Sequence, residues 1–235
     1  MNKPEVRYFK NSAELIEETS KFIASLASAS SDPFTISLAG GTTPRGLYER
    51  MAQSDFSSRF PWQKTHLFWG DERFVPKTDD RSNYKMTREA LLSKSAIPAE
   101  NIHAVNTSLP SPQAAADDYE KQLNDFFKIE LRTFPIFDLV LLGLGEDGHT
   151  ASLFPGDPAL DIHDRLTAVA KLETSEPRVT LTYPVLNHAK NILFLVSGES
   201  KKKILEEVLP GKNSKNIYPA QKIQPVSGRL FWFIS

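Results

Sequence analysis

The run Phe137-Asp138-Leu139-Val140-Leu141-Leu142-Gly143-Leu144-Gly145 restricts the fold more than any other feature of the chain, because its apolar residues follow one another without polar alternation. Such a run suits a strand covered on both faces, as in a parallel sheet with helices on each side. Similar β-rich runs occupy Val6 to Phe9, Phe34 to Leu38, His66 to Trp69, Phe137 to Leu142, Arg178 to Tyr183, Ile192 to Val196 and Leu230 to Ile234. Amphipathic helical patterns lie between them. Asn11 or Ser12 can cap a helix carrying Leu15, Ile16, Phe22, Ile23 and Leu26, and further patterns cover Pro44 to Met51, Asn83 to Leu92, Gln113 to Phe127 and Lys201 to Leu209. This alternation predicts an α/β fold: a three-layer sandwich with a mainly parallel sheet, in which ligands bind beyond the carboxyl ends of the strands.

No internal repeat or linker interrupts the pattern, and the Ser/Pro-rich stretch from Thr107 to Pro112 reads as a loop before a helix, so residues 1–235 are expected to form a single domain. Lys and Arg number 28 against 29 for Asp and Glu. That balance leaves no basic field for nucleic acid or an anionic membrane, so any anion must be caught locally. The absence of cysteine removes disulfides, thiolate nucleophiles and zinc-thiolate sites together, and fits the cytoplasm. The first residues are charged throughout, and no run approaches the ~18 apolar residues of a membrane span. No obligate protein partner is indicated.

Four segments can carry chemistry. Ser37 to Arg45 (SLAGGTTPR) joins an apolar strand to a helix that Pro44 can open. Its glycines allow close backbone approach, and its Thr hydroxyls and free N–H groups suit a phosphate. A plain turn with Thr42 or Thr43 as N-cap is the other reading, and the Gly-Lys-Ser/Thr ending of the nucleotide P-loop is missing. In Trp69 to Pro76 (WGDERFVP) a strand ends in charge, so Asp71, Glu72 and Arg73 either reach a ligand or form a solvated turn.

The third segment, Leu141 to Gly156 (LLGLGEDGHTASLFPG), contains a formal G-x-G-x-x-G at Gly143, Gly145 and Gly148. A dinucleotide site needs a long helix directly afterwards, which Pro155-Gly156 forbids, and the segment lies past the middle of the chain. What remains is a histidine beside a carboxylate on a glycine loop, a pairing suited to taking a proton from water, although a structural His149 is the alternative. The fourth comprises Arg178 to Pro184 (RVTLTYP) and Val196 to Lys201 (VSGESK). Each puts a cation at a strand or helix end, where it either meets an anion or is simply solvated.

No metal-ligand spacing occurs, His66, His103, His163 and His188 being scattered singly, and there is no G-x-S-x-G. A hydrolase built on this chain would use water activated by a base, with no metal and no cofactor.

Taken together, AGGTTPRGLY, FWGDERFVP with the following SNY, LGLGEDGHTASLFPG, RVTLTYPVLN and GESK resemble the 6-phosphogluconolactonase family, from the first strand to the closing Tyr218 to Gln221, Gly228 and Phe231-Trp232. The resemblance implies a Rossmann-like sandwich shared with sugar-phosphate isomerases, and as substrate a small phosphorylated sugar lactone, 6-phospho-D-glucono-1,5-lactone. It implies that Gly41, Thr42, Thr43, Arg178 and Lys201 bind phosphate, that Arg73 contacts phosphate or sugar, and that His149 is the catalytic base, oriented by Asp147. The glycine-rich backbone is a candidate oxyanion donor. The rivals are an amino-sugar-phosphate deaminase/isomerase and a non-catalytic sugar-phosphate sensor. The isomerase relatives read toward Asn-Glu-Pro after the histidine, where this chain has Leu153-Phe154-Pro155, and phenylalanine cannot shuttle a proton. No DNA-binding helix-turn-helix accompanies the chain.

Overall fold

Seven parallel strands form the central sheet of this computed structural model, which describes residues 3–30, 33–130, 133–171, 176–209 and 217–235. In chain order the strands are β1 (Glu5–Tyr8), β2 (Phe34–Leu38), β3 (Thr65–Trp69), β4 (Asp71–Arg73), β5 (Ile102–His103), β6 (Leu139–Leu142), β7 (Thr167–Ala170), β8 (Arg178–Leu181), β9 (Asn191–Val196) and β10 (Arg229–Ile234). The α-helices are α1 (Ser12–Ala29), α2 (Thr42–Met51), α3 (Ser54–Ser57), α4 (Asn83–Ala90), α5 (Pro112–Phe127), α6 (Tyr183–Asn187) and α7 (Lys202–Val208). Strands β1-β10-β9-β6-β2-β3-β5 make the parallel sheet, and β4-β8-β7 make a second, antiparallel one.

The continuous apolar runs are explained by two cores, one on each face of the parallel sheet. Along β9, Ile192, Phe194 and Val196 enter one core and Leu193 and Leu195 the other. In β6, Val140 and Leu142 alternate in the same way with Leu139 and Leu141. Residues of α1 and α2 fill the second core, while α5, α7 and the antiparallel sheet cover the first. A period of two with both faces buried needs hydrophobic residues at every position. This is the predicted three-layer sandwich.

Local signals place the helices. Asn11 caps α1 by accepting from the Glu14 N–H, and Ser111 caps α5 with Pro112 at its first position. Two buried tyrosines tie helices to strand ends. The Tyr48 hydroxyl of α2 accepts from the Ala39 N–H (3.0 Å) and donates to its carbonyl (2.8 Å), and that of Tyr119 in α5 does the same for Trp69 (2.8 and 2.9 Å). Both hydroxyls are buried, which raises their pKa and keeps them neutral donors.

The antiparallel sheet departs from the sequence expectation. Asp71–Arg73 pairs with Arg178–Leu181 as β4 and β8, so the charged cluster after Trp69 is a strand and not a turn. The run from Arg178 leaves strand conformation before Tyr183, which opens α6. Gly70 is the corner between the two sheets: its N–H donates to Leu38 in the parallel sheet and its carbonyl accepts from Leu181 in β8. No helix among the described residues is long and apolar enough to cross a membrane.

Candidate active site

From β2 the chain builds toward β3 and β5 on one side, and from β6 toward β9 and β10 on the other. The strand order therefore reverses between β2 and β6, where an α/β sheet opens a crevice at its carboxyl edge. A cavity of about 210 Å³ lies there, reached by Gly41, Asp71, Arg73, His149, Arg178 and Lys201.

His149 is held by the loop after β6. The Gly145 N–H donates to the His149 carbonyl (2.8 Å), the Gly148 N–H to the Gly145 carbonyl (3.1 Å), and the Thr150 hydroxyl to the Gly143 carbonyl (2.8 Å). Gly148 adopts φ +78°, and no α-helix follows the loop, which removes the dinucleotide reading of its glycines. The first two N–H groups are used inside the loop.

His149 Nδ1 lies 2.5 Å from Asp147 Oδ1, and its ring packs on Phe154 with centroids 4.5 Å apart. An ionised carboxylate only accepts, so Nδ1 carries the proton and Nε2 is left with a free lone pair. Burial acts to raise the Asp147 carboxyl, but the His149 charge and hydrogen bonds outweigh it and hold the group below its ordinary value. Asp147 itself stands behind the histidine and does not line the cavity.

A β-carbon on Gly145 would fall 2.0 Å from His149 Nδ1. Gly145→Ala is therefore expected to push the imidazole out of place while leaving the strands intact. A displacement of this kind lowers kcat by roughly 10²-fold, and measuring kcat beside the melting temperature checks it; unchanged turnover would show that the placement of the ring is not critical.

Arg73 and Arg178 stand directly opposite each other in the β4–β8 pair. Like charges facing across strands are destabilising. Burial first, and then the Arg73 charge, hold the Arg178 guanidinium below its ordinary value. Neither Nε has a hydrogen-bond partner among the described residues. Two apposed guanidiniums with unused donors at a cavity wall are suited to a doubly charged anion. Lys201 also reaches the cavity, from a 3-10 turn (Glu199–Lys201) leading into α7, with Nζ 3.8 Å from Glu146 Oε1.

Thr42 and Thr43 begin α2 beside the cavity-lining Gly40 and Gly41, but do not line the cavity themselves. Neither is the N-cap. That position is taken by Gly41 at φ +105°, and no side chain caps the helix. A glycine here leaves the first N–H groups of a ten-residue helix uncapped next to the site.

Within β4 the side chains alternate. Asp71 and Arg73 face the cavity, where Asp71 accepts from the Ser152 hydroxyl at 2.6 Å. Glu72 does not line the cavity and is buried, so it cannot be the ligand contact the sequence left open. Burial, the largest effect, and the Asp71 charge push its carboxyl up to about 7 despite the backbone N–H donors it accepts from. Asn83 reaches the cavity and accepts from Arg73 Nη1 at 2.9 Å. Sequence reasoning did not single out Asn83 or Ser152. The Ser82-Asn83-Tyr84 triplet was the only signal for the first, and the second depends on a β4 contact across 81 residues that no local pattern reveals. Among the described residues no group of three or more His, Asp or Glu could hold a metal ion.

The family profile described as glucosamine-6-phosphate isomerases/6-phosphogluconolactonase matches residues 10–232. A 6-phosphogluconolactonase of Synechocystis is 46% identical over 200 residues, covering 85% of this chain and 81% of that protein. The Arabidopsis thaliana 6-phosphogluconolactonase 3, chloroplastic, is 35% identical over 99% of this chain and 73% of its own length. Among solved structures, 6-phosphogluconolactonase from Trypanosoma brucei superposes with a TM-score of 0.86 at 30% identity, covering 100% of this chain and 97% of that one. With the profile spanning nearly the whole chain and relatives at 30–46% identity matching most of its length, the chain belongs to the glucosamine-6-phosphate isomerase/6-phosphogluconolactonase family.

Proposed function

We propose that this chain is a 6-phosphogluconolactonase, hydrolysing 6-phospho-D-glucono-1,5-lactone to 6-phosphogluconate, the lactone-opening step of the oxidative pentose phosphate pathway. The observation that carries the reading is the Asp147-paired His149 at the wall of a cavity that also holds Arg73, Arg178 and Lys201. The Synechocystis relative at 46% identity and the Trypanosoma brucei structure at 30% identity carry that name.

In this mechanism the cations take the phosphate, with Gly41, Thr42 and Thr43 contributing hydrogen bonds from the start of α2. The ring carbonyl then lies toward His149. Nε2 removes a proton from water as the water oxygen bonds to the carbonyl carbon, and the carbonyl electrons move to its oxygen. Collapse of that intermediate breaks the bond to the ring oxygen, which takes the proton back from the imidazolium. The product acid ionises to the carboxylate. Asp147 holds the ring tautomer and stabilises the imidazolium, the part a carboxylate plays beside a catalytic histidine.

The isomerase alternative is disfavoured at Phe154. This residue packs against His149 at a tilt and lies beneath Arg178, whose guanidinium carbon is 5.2 Å from the ring centroid. An apolar ring therefore stands where the isomerase reading requires a carboxylate. A fold match to a glucosamine-6-phosphate deaminase, at 21% identity and a TM-score of 0.81, concerns architecture alone. The cysteine-free composition supports a cytoplasmic setting.

Activation of water by imidazole needs no metal. Prolonged chelation should leave kcat/KM unchanged, and activity lost on chelation and restored by one divalent ion would contradict the mechanism.

A further inference from the structure

Glu72 is a buried carboxylate on the far side of β4 from the cavity, and its four hydrogen bonds converge on one task. Oε1 accepts from the Arg73 N–H (2.8 Å) and the Asn83 N–H (2.8 Å), and Oε2 accepts from the Tyr84 N–H (2.7 Å) and the Ser82 hydroxyl (3.3 Å). The carboxyl group thus sits on the N-terminus of α4, accepting from its first N–H groups, and ties that helix to β4. One of the residues it fixes, Asn83, also holds the Arg73 guanidinium. Arg73 Nη1 donates to the Arg81 carbonyl at 2.7 Å and to Asn83 Oδ1 at 2.9 Å, while Asn83 Nδ2 donates to the Asp71 carbonyl at 2.9 Å. Gly40 completes the fit, because a β-carbon there would lie 2.1 Å from Asn83 Oδ1.

From this arrangement we infer that Glu72 and Asn83 are positioning residues for the anion site: Glu72 clamps the start of α4 to β4, and Asn83 relays that clamp to Arg73, holding its guanidinium opposite Arg178. The inference deepens the proposed function and rests on the cavity being the site of a phosphorylated ligand. Left alone, two like-charged guanidiniums would swing apart. The Arg81 carbonyl and Asn83 amide oxygen keep one of them in place before the anion arrives, so less ordering remains to be done on binding.

Glutamine at position 72 must turn its NH₂ toward either the Arg73 and Asn83 N–H pair or the Tyr84 N–H, losing at least one acceptor. Glu72→Gln should therefore raise KM for the lactone about 5–20-fold with kcat changed less than about 3-fold, the range of coupling for residues in one hydrogen-bond network. Asn83→Ala, which keeps the Glu72 clamp, should do the same. The decisive control is each substitution in an Arg73→Ala background. If both residues act through Arg73, their effect on KM disappears there. Equal KM increases in both backgrounds, or a lowered melting temperature with KM unchanged, would overturn the inference. Should Glu72→Gln fail to fold, Asn83→Ala alone decides: no change in KM refutes the relay. The dissociation constant for inorganic phosphate, measured by calorimetry on the same proteins, keeps the two claims separate. A wild-type protein that turns over no lactone, yet binds phosphate with the same Arg73-dependent pattern, would refute the proposed reaction and leave the positioning role standing. Phosphate binding insensitive to both substitutions would remove the role.

Discussion

Replacing His149 by alanine should lower kcat by about 10²–10⁴-fold, the usual worth of a positioned general base, while leaving the fold intact. Among the described residues the imidazole makes one side-chain hydrogen bond, to Asp147, and one ring contact, to Phe154. Its loss from a partly exposed loop costs on the order of 1 kcal/mol of stability. KM should change little, because the binding energy resides in the cations. Asp147 is held below the ordinary carboxyl value and stays ionised near neutrality, so it keeps accepting from Nδ1 and leaves Nε2 to face the water. A structural histidine predicts the opposite pattern: a lowered melting temperature, with near-normal kcat in whatever folds.

Arg178→Ala should raise KM roughly 10- to 150-fold, corresponding to the roughly 1.5–3 kcal/mol of a charge-assisted contact to phosphate. Lys201→Ala should act in the same direction. The chain carries a net charge of only −1, so no general field substitutes for the lost cation. Removing Arg178 also relieves the repulsion with Arg73, so the unliganded protein should be no less stable than wild type, and a gain in melting temperature with a loss of binding is the expected signature. Unphosphorylated gluconolactone should be a poor substrate for the wild-type enzyme. Equal kcat/KM on the two lactones, or an Arg178→Ala variant with unchanged KM, would remove the phosphate from the account.

The elements legible from sequence are those whose side chains obey one period over several residues. Ile192 to Val196 and Leu230 to Ile234 are apolar at every position because both faces are buried, Phe34 to Leu38 alternates its apolar residues with the buried Thr35 and Ser37, and α1 and α5 carry their own caps. The His149 loop and the cations at 178 and 201 stood out by residue type at strand and helix ends, but a structural or solvated role stayed open for each, and their roles came from the resemblance of the five motifs taken together. The antiparallel sheet was not legible. Its strand Asp71–Arg73 is three residues long, and all three are charged because one face lines a cavity while Glu72 is satisfied by backbone N–H groups from residues 73 to 84. Charge therefore reads locally as solvent exposure, and only the long-range pairing with Arg178–Leu181 shows otherwise. For the same reason the apposition of Arg73 and Arg178 could not be seen, although each residue was identified. Thr42 as N-cap failed on backbone conformation: Gly41 adopts a positive φ and takes the cap position without a side chain.

The central claim, that this cavity opens a phosphorylated lactone, is tested most directly by the hydrolysis of freshly generated 6-phosphogluconolactone, with glucosamine 6-phosphate run beside it. The account predicts an enzyme-dependent rate far above spontaneous hydrolysis, abolished by His149→Ala, and no release of ammonia from the amino sugar. Lactone decay at the spontaneous rate in the presence of folded protein, or turnover of glucosamine 6-phosphate instead, would contradict it.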